Sequence, residues 1–165
     1  MIDTCLAAID RITRLSAALG ATCLALLFLL GLSEILARAL FGASLEFALE
    51  VSGYLLALSF LLGGGWTMQT GRHIRISLLS AALPPPAAAT LNLAATLIGL
   101  ATATLLAVAL GRYALTSLVL DSRSYFPSAT PLWIPQSLLC LGMTVLALAL
   151  LARLIRLLSG RAVTS

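Results

Sequence analysis

The sequence predicts an all-α integral membrane protein, with four transmembrane helices and a short interfacial helix in the connection between the second and third. Three observations predict it. Hydrophobic residues make up 61% of the 165 residues and charged residues only 10%, with a mean hydropathy of +1.08, whereas a soluble domain carries about a quarter charged residues to cover its surface. The apolar residues gather into four runs of membrane length. Charges bracket these runs and almost none interrupt them. Backbone groups cannot stay unpaired in hydrocarbon, so such runs must be helices.

The elements follow in order, as one four-helix membrane domain over residues 1–165. The first span is expected over about 15–37. A cleaved signal peptide is a poor account of it, because Asp3 and Asp10 dilute the basic approach and the apolar run exceeds a signal peptide's core. The second span is expected over about 51–70. It opens behind Glu46 and Glu50, holds Gly63-Gly64-Gly65 and Trp66, and stops at Gly71-Arg72-His73. Residues 72–83 then read as a short interfacial helix, with His73, Ser77 and Ser80 forming a narrow polar stripe between Arg72 and Arg75 and apolar positions. Pro84-Pro85-Pro86 ends it. The alternative there is a frayed end of the second span.

The third span is expected over about 87–111 and the fourth over about 133–152. Between them Pro127, Pro131 and Pro135 oppose a continuous helix. Tyr125, Phe126 and Trp133 have the amphipathic character of residues at a membrane–water interface. This loop either anchors a helix at the interface or receives a partner protein.

The net charge of +4 comes from ten arginines against six acids, with no lysine. The arginines stand at helix ends rather than on one basic face, which argues against nucleic acid as a partner. Arg11, Arg14, Arg72, Arg75, Arg153, Arg156 and Arg161 fall on one side of the predicted topology, and Arg38, Arg112 and Arg123 on the other. That asymmetry places both termini in the cytoplasm.

No enzyme chemistry is visible. His73 is the single histidine, Cys5, Cys23 and Cys140 are far apart, and neither a phosphate loop nor a nucleophile elbow occurs. No metal site and no cofactor are expected. Charges deep in a membrane mark ion or substrate routes, yet the middle of each span is empty of them. Glu34 comes nearest, and its spacing to Arg38 suits an ion pair on one helix face. Glu46 and Glu50 share a face at the mouth of the second span, either solvated or touching a partner's arginine or a cation. What remains inside the spans is small and weakly polar. Gly63, Gly64 and Gly65 beside Trp66 permit close backbone approach. Asn92, Thr96, Gly99 and Ala103 recur at four, three and four residues, forming a packing stripe. A chain with several packing faces and no charged pathway reads as a component of a larger membrane assembly. The competing reading is a self-sufficient four-helix transporter or channel that works as a homo-oligomer, for which Glu34 is the one candidate coupling charge.

The window from Leu45 to Pro84 resembles the small membrane subunit of tripartite ATP-independent periplasmic (TRAP) transporters. The resemblance rests on Leu45-Glu46-Phe47-Ala48-Leu49-Glu50 through Tyr54, on Leu62-Gly63-Gly64-Gly65, on Gly71-Arg72-His73-Ile74-Arg75-Ile76 and on Leu83-Pro84. Family members often carry Trp where Phe47 stands and a second acid where Leu49 stands. The resemblance implies a helper role in the bacterial inner membrane. A large membrane subunit would carry the substrate and cation sites, a periplasmic solute-binding protein would deliver organic anions such as carboxylates, and uptake would be driven by a cation, sodium in the usual case. On that reading Glu50, Gly63, Gly64, Gly65, Trp66, Asn92, Thr96 and Gly99 are candidates for the subunit interface. Arg72, His73, Arg75 and Trp133 are candidates for contact with membrane lipid, and Arg123, Tyr125 and Phe126 for contact with the binding protein.

Overall fold

The computed structural model describes residues 2–70 and 84–159. Four helices account for most of them: α1 (Ile2–Phe41), α2 (Ala48–Gln69), α3 (Pro85–Val119) and α4 (Trp133–Leu158). Each is long and apolar enough to cross a membrane. The predicted interfacial helix over 72–83, with Arg72, His73 and Arg75, lies outside the described residues.

α1, α3 and α4 run well past the spans expected for them, while α2 starts ahead of its expected span and ends at Gln69. At 1.5 Å per residue, α1 and α3 measure roughly 60 and 52 Å against a hydrocarbon core of about 30 Å. They must tilt or project beyond the hydrocarbon. Hydropathy marks only the part of a helix that lipid can cover, so the helix ends lie outside its reach. Arg153 and Arg156, which fall after the expected end of the fourth span, are helical residues of α4.

The helix ends have local causes. Gly42 adopts φ +63°, which a glycine enters without a Cβ clash, and its N–H bonds the Arg38 carbonyl at 3.1 Å to close α1. Pro85 and Pro86 open α3, where a missing N–H costs no helical hydrogen bond. At the other end of α3, Asp121 takes φ +45°, and the Ser122 N–H reaches back to the Ser117 carbonyl at 2.9 Å. That six-to-one bond is a Schellman stop with aspartate in the position glycine usually holds.

α1, α2 and α4 form a three-helix unit in which each helix packs on the other two, while α3 packs on α4 alone. The start of α1 and the end of α4 lie at one end of this assembly, and the 42–47 and 120–132 connections lie together at the other. A core of Ala103, Met143 and Leu150 joins α3 to α4, with Leu61 and Met68 of α2 packed against it.

Close approach of backbones sets the spacing. A Cβ on Gly20 of α1 would stand 3.0 Å from the Ser59 carbonyl oxygen and 3.1 Å from the Gly63 nitrogen. A Cβ on Gly142 of α4 would stand 2.8 Å from the Leu61 Cβ. One level of α2, residues 59–63, is therefore held between two glycines on opposite neighbours. On α4, Gly142, Val145, Ala149 and Ala152 recur at three, four and three residues and are all buried, the small-residue pattern that lets membrane helices pack closely.

Candidate functional site

At the end carrying the 42–47 and 120–132 connections, two carboxylates organise the chain. Glu34, near the end of α1, is paired with Arg38 at 2.5 Å. Its other contacts tie down the turn into α2: the Ser44 hydroxyl donates to Oε1 at 2.7 Å, and the Leu45 N–H donates to Oε2 at 2.7 Å. Arg38 also reaches the Ser44 hydroxyl at 3.0 Å. Both carboxylate oxygens are thus occupied by the connection that follows.

Glu50 sits in the first turn of α2 and is 5% exposed. Tyr54, one turn on, donates its hydroxyl to Oε1 at 2.7 Å. Ser128, from the connection between α3 and α4, donates to Oε2, and Thr130 in turn donates to the Ser128 hydroxyl at 3.2 Å. A buried carboxylate needs such donors, since its own hydration is lost. Its place near the positive end of the α2 dipole favours the negative charge as well. Glu46 makes no such contact with the connection.

That connection is folded back on itself. Arg123 and Pro131 form an isolated antiparallel bridge. The Ser124 N–H bonds the Thr130 carbonyl at 2.9 Å and the Leu132 N–H bonds the Ser122 carbonyl at 3.0 Å. A turn at the tip closes through the Ala129 N–H and the Phe126 carbonyl at 2.9 Å, with Ala129 at φ +45°. Arg123 pairs with Asp121 at 3.4 Å. Tyr125 is fully exposed and Phe126 half-exposed. Trp133 opens α4 and lines a groove with Leu115 and Leu118 of α3.

The small residues singled out in the sequence divide. Gly65 lies where three helices meet, and its Cβ would be 3.2 Å from Val145 and 3.3 Å from Thr13. Gly64 meets Leu146. Thr96 is 3% exposed and bonds the Asn92 carbonyl at 2.7 Å, and Gly99 faces Leu150 of α4. Asn92 bonds the Ala88 carbonyl at 3.0 Å. The α3 stripe therefore packs on the chain's own fourth helix. Gly63 has open space in front of it, and Trp66 is half-buried.

Sequence reasoning missed the polar seam at the opposite end. Thr13 is fully buried, and its hydroxyl lies 2.6 Å from the Gln69 side-chain oxygen. Ser16 bonds the Leu62 carbonyl at 2.8 Å. Asp10 meets Arg156 at 2.7 and 2.8 Å, while the mostly buried Arg153 lies 3.9 Å from the Met68 sulfur. The spacing of Ser16 and Gly20, two small residues four apart in the first run, was the available signal. Among the described residues no group of three or more metal-ligating side chains comes together.

The comparisons bear on the whole helical unit. No curated protein and no solved structure matches the chain. The sequence profile of the family described as tripartite ATP-independent periplasmic transporters, DctQ component, matches residues 27–160, from the middle of α1 past the end of α4. This multi-pass membrane chain belongs to that family, and it is a small permease subunit of a TRAP transporter.

Proposed function

We propose that the chain supports a large membrane subunit in cation-driven uptake, most simply sodium-driven, of organic anions such as carboxylates delivered by a periplasmic binding protein. It lies in the inner membrane with both termini in the cytoplasm, in keeping with the arginine asymmetry, so that the end carrying Glu50 and the 120–132 connection faces the binding protein. The observation that carries this reading, beyond family membership, is what the polar groups do. Glu34, Glu50, Thr13, Ser16 and Thr96 all spend their oxygens on the chain's own helices and connections. A subunit whose polar groups are committed to its own architecture is suited to scaffolding rather than to carrying solute.

The open faces suggest where the large subunit sits. On α2, Leu49, Gly53, Leu56, Phe60 and Gly63 follow at four, three, four and three residues. Leu49 and Phe60 are each 73% exposed, and neither glycine has a neighbouring atom within 4 Å of where a Cβ would be. In lipid, uncovered glycines on an apolar stripe let a partner helix approach closely. We place the partner there, with Trp66 at its cytoplasmic margin.

Reconstitution of the large subunit with and without this chain tests the reading. Uptake of a labelled carboxylate, driven by a sodium gradient and dependent on the binding protein, should require both membrane chains. Undiminished uptake by the large subunit alone would overturn it.

A further inference from the structure

We infer that Glu50 is a positioning residue: its carboxylate braces the 120–132 connection as a fixed hairpin and so presents Tyr125 as a contact for the binding protein. This rests on the reading above, in which that end of the subunit faces the binding protein.

An acid in the first turn of a helix ordinarily serves that helix's own N-terminus, by its charge or by reaching back to the cap N–H. Glu50 does more than that. Phe47, the N-cap of α2, makes no side-chain capping hydrogen bond. The two carboxylate oxygens are taken by Tyr54 and by Ser128, which is 78 residues away in the chain. Behind Ser128 stands Thr130, whose hydroxyl donates to it at 3.2 Å. Ser128 belongs to the turn and Thr130 to the returning stretch, and the Thr130 carbonyl accepts the Ser124 N–H of the facing one. One buried anion therefore anchors the hairpin at its turn and along one side.

The hairpin's other ties are local: a single bridge with two flanking hydrogen bonds, the Ala129 N–H to Phe126 carbonyl turn and the Phe126 N–H to the Ser124 hydroxyl at 3.2 Å. Two paired segments this short are not stable alone in water. Ala129 is kept at φ +45°, a conformation that disfavours a residue with a Cβ unless its surroundings hold it there. Ser128, which meets Glu50, directly precedes it.

The bracing sets what the tip offers. With the Ser128 hydroxyl bonded to Glu50, Tyr125 is left entirely outside the protein, and Phe126 beside it is 42% exposed. A large amphipathic side chain on a pre-ordered loop loses little entropy on contact, the property of residues that dominate protein–protein interfaces. A loop released from Glu50 would have to be ordered again at each encounter.

The test uses the intact transporter, this chain with its large subunit, in nanodiscs. Two measurements are made on the wild type, Glu50→Gln, Ser128→Ala and Tyr125→Ala. The first is hydrogen exchange of the peptide covering residues 121–132. The second is the binding-protein concentration giving half-maximal uptake, read separately from the maximal rate. Glu50→Gln and Ser128→Ala should each speed exchange at the Ser124 and Leu132 amides by about tenfold, with α2 and α4 unchanged. Both should raise the half-maximal concentration about fivefold or more while the maximal rate holds, a reordering cost carried by the loop. Tyr125→Ala should raise that concentration without faster exchange. Ser128→Ala breaks the brace from the loop side and leaves the helix intact, so a folding defect of the Glu50 variant does not blunt the test. Unchanged exchange in both brace variants overturns the inference. If exchange rises while only Tyr125→Ala raises the half-maximal concentration, positioning fails and the docking reading stands. If none of the variants raises it, the docking reading fails, and the inference with it.

Discussion

Replacing Gly142 by alanine adds one methyl group at the closest of the glycine contacts among the described residues. That Cβ would lie 2.8 Å from the Leu61 Cβ, 3.4 Å from the Leu61 carbonyl carbon and 3.5 Å from the Leu62 nitrogen. Carbon atoms rest at about 3.5–4.0 Å, so α2 and α4 must separate by roughly 0.7–1.2 Å at this level. The obstructing atoms are backbone and a Cβ, which cannot swing aside as a side-chain tip would. α2 has little room to retreat toward α1, whose backbone comes so close at Gly20 that a Cβ there would lie 3.1 Å from the Gly63 nitrogen. Overpacking of this kind costs about 1–3 kcal/mol, offset by roughly 0.5–1 kcal/mol of improved helix propensity. The expected net loss is about 1 kcal/mol. For a domain of this size that lowers an apparent Tm by roughly 2–4 °C. The assay is gel filtration with fluorescence detection after graded heating of the detergent-solubilised protein. Gly63→Ala is the internal control, since nothing stands within 4 Å of its Cβ position, and it should melt at or slightly above the wild type. If Gly142→Ala and Gly63→Ala melt within about 1 °C of one another, the packing argument is wrong.

Three further outcomes follow from other parts of the structure. Thr13→Val, which removes a fully buried hydroxyl facing Gln69, should destabilise the subunit by about 1–2 kcal/mol in the same melting assay. Asp10→Asn should cost less than about 1 kcal/mol, because Asp10 is 45% exposed on its side chain, and high salt should shrink the difference further. Gly53→Leu and Gly63→Leu should leave the melting of the isolated subunit nearly unchanged, yet reduce recovery of the large subunit in co-purification by about tenfold, since a bulky side chain would block close helix approach on that face.

The four spanning helices and their order were legible because lipid imposes one solution on a long apolar run. The residues that bring helices together were only partly so. The α3 stripe of Asn92, Thr96, Gly99 and Ala103 could be read from its spacing, but periodicity marks a packing face without naming the helix it meets, which is α4. Gly63-Gly64-Gly65 drew attention as a run, whereas the tightest crossings belong to the isolated Gly20 and Gly142. A single glycine in an apolar helix looks the same in sequence whether it faces lipid or a neighbouring backbone. Glu50 stood out as an acid at a helix start, but its partner Ser128 is 78 residues away, beyond any local pattern. The seam joining Thr13 to Gln69 is hidden for the same reason.

The central claim is that this chain works as one part of a membrane complex. The most direct measurement is purification of the tagged subunit from native membranes, with identification and stoichiometry of what accompanies it. Recovery of a large polytopic membrane protein in fixed ratio is the predicted result. Recovery of the chain alone, as a homo-oligomer that moves solute when placed in liposomes, would contradict it.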